Sequence, residues 1–112
     1  MSRLATHVEV AGILRRTAAA GDFATVMRKG DAERGSLIIF VTSRGRQVAI
    51  LERVLGRDGD YHWQAAKTSE SSGSVEIGDF LAKRARFDDD LWAIELDIAE
   101  PERFIAETTS VG

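Results

Sequence analysis

Apolar and polar positions alternate along this chain with two different periods, and the change from one to the other marks its elements. Plotted at about 100° per residue, Val10, Ala11, Ile13, Leu14, Thr17 and Ala18 share one broad face, while Gly12, Arg15, Arg16 and Ala19 lie on or near the other. That stripe predicts an amphipathic helix. Thr6-His7-Val8-Glu9 has the Thr-x-x-Glu spacing of a capping box and marks its start, and Gly21 marks its stop. From Phe23 the texture changes to β-branched runs cut by glycine, as in antiparallel strands joined by hairpins. Four strands are readable, at residues 23–28, 37–42, 47–55 and 61–66. The second is apolar on both faces and so belongs in the middle of a sheet. Arg44-Gly45 and Asp58-Gly59 supply tight turns on either side of the third.

The helical period returns after Ser74, a capping residue, with Ile77, Phe80, Leu81, Arg84 and Ala85 inward and Glu76, Asp79 and Lys83 outward. It ends at Phe87-Asp88-Asp89-Asp90-Leu91. A strand follows, because Trp92, Ile94, Leu96 and Ile98 alternate with Ala93, Glu95 and Asp97, which makes Trp92 a core residue. Beyond it, Phe104 and Ala106 fit a sixth strand, or Pro101 opens a short final helix; the strand is the preferred reading. The polar, small-residue stretch 68–73 reads as a mobile loop, and 109–112 as a frayed tail. These elements predict one α+β domain spanning residues 1–112. It has an N-terminal helix, a four-stranded antiparallel meander, a second helix and a fifth strand, with the helices in a single layer on the sheet.

Composition narrows the functional classes. At 112 residues, 44% hydrophobic and 29% charged, the chain suits one domain with one core. It has no cysteine, which excludes disulfides, thiolate metal sites and cysteine nucleophiles. Glu9, Arg15 and Arg16 interrupt the apolar residues among the first twenty, so neither export nor a membrane span is expected and the cytoplasm is the default location. The net charge of −3 conceals an asymmetry. Residues 1–57 hold ten Lys/Arg against five Asp/Glu, and residues 58–112 hold five against thirteen. Such halves commonly neutralise each other across the fold or across a symmetric dimer interface.

Three chemistries compete for the polar residues. Asp88, Asp89 and Asp90 with Glu95 could hold a hard cation for a metal-dependent hydrolase, with Asp88, Asp90 and Glu95 as its ligands. Successive aspartates point in different directions, however, and Glu95-Leu96-Asp97 lacks the lysine of a Glu-x-Lys nuclease strand. An aspartate forming an Asx-turn between helix and strand is the simpler expectation. Arg44, Arg46, Arg53 and Arg57 could form an anion- or nucleic-acid-binding hairpin, with Arg15 and Arg16 as a further anion site. Against this stand the pI near 5.4 and the ordinary role of paired arginines on a helix's solvated side. Phosphate-loop, dinucleotide and Gly-x-Ser-x-Gly motifs are absent, and His7 and His62 have no metal-ligand spacing. No cofactor, metal or catalytic residue is therefore expected. The remaining class, a homo-oligomerisation or protein-interaction module, asks least. Five strands under two helices would leave a sheet face to be covered by a partner, with Phe40, Leu51 and Trp63 as its interface residues.

Four segments carry a family likeness. Ile13-Leu14-Arg15-Arg16, Gly21-Asp22-Phe23-Ala24, Gly30-Asp31 with Gly35, and above all Arg86-Phe87-Asp88-Asp89-Asp90-Leu91-Trp92 with Glu95 resemble a bacterial family catalogued as domain of unknown function 1491. The likeness spans most of the chain and is weakest over residues 48–73. The family's commonest pattern reads Arg-x-Phe-Asp-Pro-Asp-Leu-Trp, and here Asp89 stands where proline is usual. The resemblance implies a shared fold and bacterial origin, with Phe87, Asp88, Asp90, Leu91, Trp92 and Glu95 as a structural signature. It carries over no catalytic residue.

Overall fold

In a computed structural model, which describes residues 4–66 and 74–110, the chain folds as three helices and a five-stranded mixed sheet. Helix α1 (Thr6–Ala19) leads into strands β1 (Phe23–Arg28), β2 (Leu37–Ser43), β3 (Arg46–Leu55) and β4 (Tyr61–Ala65). Helix α2 (Ser74–Phe87), strand β5 (Trp92–Asp97) and helix α3 (Pro101–Thr109) follow. The expected α+β class is what the chain adopts. The 68–73 loop, the Ser74 cap side chain and residues 111–112 lie outside what is described.

The sheet order β1-β5-β2-β3-β4 corrects the four-strand meander. Only β2, β3 and β4 form one; β5 inserts between β1 and β2, antiparallel to β1 and parallel to β2. Burial explains the choice. Strand β2 is buried along almost its whole length and β5 is nearly so, whereas β1 is mostly exposed, in keeping with two apolar strands at the centre and β1 at an edge. Ile94, Ile39 and Leu51 then form one continuous row across the middle of the sheet.

Helices cover both faces, which corrects the single helical layer. On one face Leu37, Ile39, Val41, Leu51, Ile94 and Leu96 pack beneath α1 and α3, which contribute Val10, Ile13, Leu14, Phe104 and Ile105. The other face, with Ile38, Phe40, Ile50 and Ala93, packs under Ile77, Phe80 and Leu81 of α2. Phe80 meets Phe40 edge-on, with centroids 6.2 Å apart and ring planes at 88°. A strand apolar on alternate and intervening positions alike requires cover on both sides, and three helices provide it. The third exists because residues 101–109 are helical, not the sixth strand. Strand β5 already has a neighbour on each side, so the chain leaving it cannot turn back and pair beside β5 as a hairpin. Pro101, with its φ preset and no N–H to satisfy, instead starts a helix.

Candidate functional site

The start of α1 is built differently from a capping box. Its N-cap is Ala5, and the first amides are satisfied by the β1–β2 loop: Thr6 N–H donates to Glu33 O (3.2 Å) and His7 N–H to Ala32 O (2.9 Å). The buried Thr6 hydroxyl donates to Gly35 O at 2.7 Å. Glu9, the expected box partner, turns inward and receives both terminal nitrogens of Arg53 at 2.5 and 2.9 Å. The Arg53 guanidinium also lies 4.9 Å from the centroid of the Trp63 ring. A bidentate contact to a largely buried cation outweighs one exposed helix-end amide, which explains the departure.

The aspartate-rich stretch docks onto the same loop. Asp88 Oδ1 accepts the Asp90 N–H at 3.0 Å, the expected Asx-turn, and Asp90 O accepts the Asp31 N–H at 3.0 Å. The Trp92 indole donates to Asp31 O at 2.6 Å, while Asp31 Oδ2 takes the amides of Glu33 and Arg34. Gly30 and Gly35 make room for this junction: a Cβ at either would stand 2.0 or 2.2 Å from Asp90 O. Leu91 and Trp92 are buried, whereas Phe87 is 86% exposed. Glu95, across the ladder from Phe40, sits on the α2 face and not with these aspartates. Asp88, Asp90 and Glu95 therefore do not converge, and no group of three or more metal-ligating residues occurs among the described residues.

The arginine hairpin is likewise dispersed. Arg44 (φ 53°) and Gly45 (φ 80°) form the tight β2–β3 turn, pinned by the Arg44 N–H to Asp97 Oδ1 at 2.9 Å, and the side chains of Arg44 and Arg46 are exposed. Arg57 lies past the other end of β3, and Arg53 between them is committed to Glu9. Arg15 and Arg16 are exposed on α1. The β3–β4 turn holds one perturbed carboxyl: the Nε2 of His62, 2.9 Å from Asp58 Oδ2, lowers the Asp58 pKa, with help from the Asp60 amide.

Phe40 and Leu51 are fully buried on opposite faces of the sheet, and Trp63 is half-buried beside Arg53. The expected interface of these three is thus absent, because α2 and α3 cover what a single helical layer would have left bare. Large apolar side chains are exposed at scattered places, Leu4, Leu55, Tyr61 and Phe87 among them, and three of them, Phe23, Val26 and Met27 (75%, 40% and 39% exposed), share edge strand β1. The sequence signal for this was the run of five uncharged residues, 23–27, which suited an interior strand as well as an edge.

Two recesses are formed by the described residues. One, of about 530 Å³, is a cleft between α1 and α3, floored by Ile13, Ile39, Trp63, Ile98 and Phe104 and rimmed by charged side chains. The other, of about 440 Å³, lies between the end of α2 and the start of β2, beside Glu52, Tyr61, Arg84 and Phe87. Arg84 bridges to Glu52 there at 2.7 Å. Among the described residues no helix is long and apolar enough to cross a membrane.

A family described as protein of unknown function (DUF1491) matches residues 4–106 of the chain. A DUF1491 family protein from Caulobacter crescentus CB15, solved by crystallography at 1.87 Å, is 29% identical with a TM-score of 0.76, covering 86% of this chain and 89% of that one. The NMR structure of a DUF1491 family protein from that organism is 27% identical with a TM-score of 0.75, covering 90% and 91%. Atu0922 from A. tumefaciens is 26% identical with a TM-score of 0.73, covering 88% and 89%. No curated protein matches the sequence.

Proposed function

We propose, for a chain that belongs to the DUF1491 family of proteins of unknown function, that it is an oligomerisation module in which two copies pair antiparallel along β1. The observation that carries this reading is the exposed apolar edge: Phe23, Val26 and Met27 on a strand with one ladder partner. Edge strands of monomers are usually blunted by charge, proline or a bulge. Here the bulge falls between Val26 and Arg28 and the charges begin at Arg28, so residues 23–26 offer regular, uncharged backbone. Antiparallel self-pairing brings the basic end of one copy, Arg28 and Lys29, against the acidic end of the other. That end carries Asp22 and also Asp97, which faces Phe23 across the ladder. Charge complementarity of this kind favours a second copy over an arbitrary extended peptide.

Light scattering behind a sizing column tests it, on the full chain and on Phe23→Lys with Met27→Lys. A dimer mass for the parent and a monomer mass for the variant, with unchanged circular dichroism, support the pairing. A parent that stays monomeric, or a variant that stays dimeric, overturns it.

A further inference from the structure

We infer that α3 is a detachable strap over the apolar floor it shares with α1: it leaves the sheet and unwinds in one step, from a hinge at Glu100, while the rest of the fold stays closed. The inference is independent of pairing along β1, because α3 packs toward β4 and β2 at the other side of the sheet. The three helices are anchored unequally. Helix α1 is tied to the β1–β2 loop through Thr6 and His7, and to β3 through Glu9 and Arg53. Helix α2 is tied to β3 by Arg84 and Glu52. In α3 the side-chain bonds close within the helix, Arg103 to Glu107 at 3.4 Å and the Thr109 hydroxyl to Ile105 O at 2.7 Å. Its hold on the sheet is apolar and narrow: Pro101 alone of its nine residues is buried, and Phe104 and Ile105 pack half-buried on the core.

The helix has little of its own to keep it wound. The Glu100 side chain makes no capping bond, and the last turn carries no basic residue to meet the free carbonyls. The exposed Arg103–Glu107 pair adds at most a few tenths of a kcal/mol, the usual worth of such pairs. Nine residues fall short of the roughly 12–15 at which an isolated helix becomes even marginally stable in water. Once off the sheet, α3 therefore unwinds, and undocking and unwinding are one event. The chain is held firmly up to that point and no further. Ile98 N–H donates to Thr42 O at 3.0 Å and Ala99 N–H to Asp22 Oδ1 at 3.2 Å, which leaves Glu100 as the first residue free to turn. The cleft of about 530 Å³ already separates one flank of α3 from α1, so release of the strap bares the floor residues Ile39 and Trp63. Few buried apolar contacts and no long-range polar anchor are the marks of a segment that opens below the global unfolding free energy.

The test is native-state hydrogen exchange of the full chain by NMR, in graded denaturant below the unfolding transition and at one protein concentration. The amides of residues 104–109 are expected to share a single opening equilibrium, roughly a hundredfold or more easier than that of the β2 and β5 amides. Pro101→Gly loosens the start of the helix and removes a buried ring, and should raise that opening by roughly fivefold while leaving β2, β5 and α1 unchanged. Three results overturn the inference. One is protection in α3 equal to that of the central strands. Another is exchange that quickens residue by residue toward Thr109, the mark of a fraying end and not of a strap. The last is a Pro101→Gly variant that loses protection in β2 and β5 as much as in α3.

Discussion

Gly35 and Gly78 show how differently one residue type can be constrained. Neither needs a left-handed backbone, but a Cβ on Gly35 would stand 2.2 Å from Asp90 O and 2.7 Å from Trp92 Cδ1, whereas one on Gly78 in α2 meets nothing within 4 Å. Gly35→Ala should therefore cost about 2–4 kcal/mol in chemical denaturation, because main chain and a core indole must move. Gly78→Ala should instead stabilise by roughly 0.5–1 kcal/mol through helix propensity. Asp58 makes a second residue-scale prediction. Its hydrogen bond from His62 lowers its pKa in the folded state, so its contribution to stability is present above the usual aspartate range. That contribution is lost as pH falls through the lowered value. A carboxyl NMR titration should place its midpoint below that of an ordinary aspartate. His62→Phe should move it back upward, though not fully, since the Asp60 N–H still donates to Asp58 Oδ1 at 3.0 Å.

At the scale of elements, the β2–β3 hairpin and the β1 edge separate two readings of the same polar chain. The hairpin turn is closed by backbone geometry and by Asp97, with the Arg44 and Arg46 side chains directed to solvent. Arg44→Glu with Arg46→Glu should leave both the fold and the assembly mass unchanged by light scattering. Exposed substitutions away from packing or caps usually shift stability by no more than about 0.5 kcal/mol. A change of mass would move the interface to the hairpin. The β1–β2 loop is the opposite kind of element, short and irregular yet receiving α1 through Thr6 and His7, and β5 through Trp92 and Asp90. Its order comes from the backbone groups it satisfies on its neighbours.

For the whole molecule, the central position of β5 makes folding depend on the C-terminal third of the chain. Strands β1 and β2 meet only through β5, so everything before it is joined to β1 by α1 and the loop alone. A chain ending at Asp90 should lack cooperative unfolding and most strand signal in circular dichroism, since it loses Trp92, Ile94 and Leu96 from the main core. A truncated chain that still melts cooperatively would contradict the assigned role of β5.

How much of this was legible in the sequence follows from the range of the interactions involved. Periodicity reports which face of an element is apolar, a local property, so both early helices, all five strands, the two tight turns and the burial of Trp92 could be read directly. The Asx-turn at the junction was legible too, and the structure shows that Asp88 is the aspartate that makes it. Three features were decided only by the tertiary structure. Strand order was one, because alternation shows that β2 and β5 need neighbours but not which. The helicity of residues 101–109 was another, since it depends on β5 having no free edge. The third was Glu9, whose spacing suited a cap but whose partner, Arg53, lies 44 residues away and became available only once β3 was in the sheet. The candidate sites follow the same division. The aspartates could be assigned to a turn from their spacing alone, whereas the cleft between α1 and α3 joins residues distant in sequence, and nothing in their local pattern foretells that they meet.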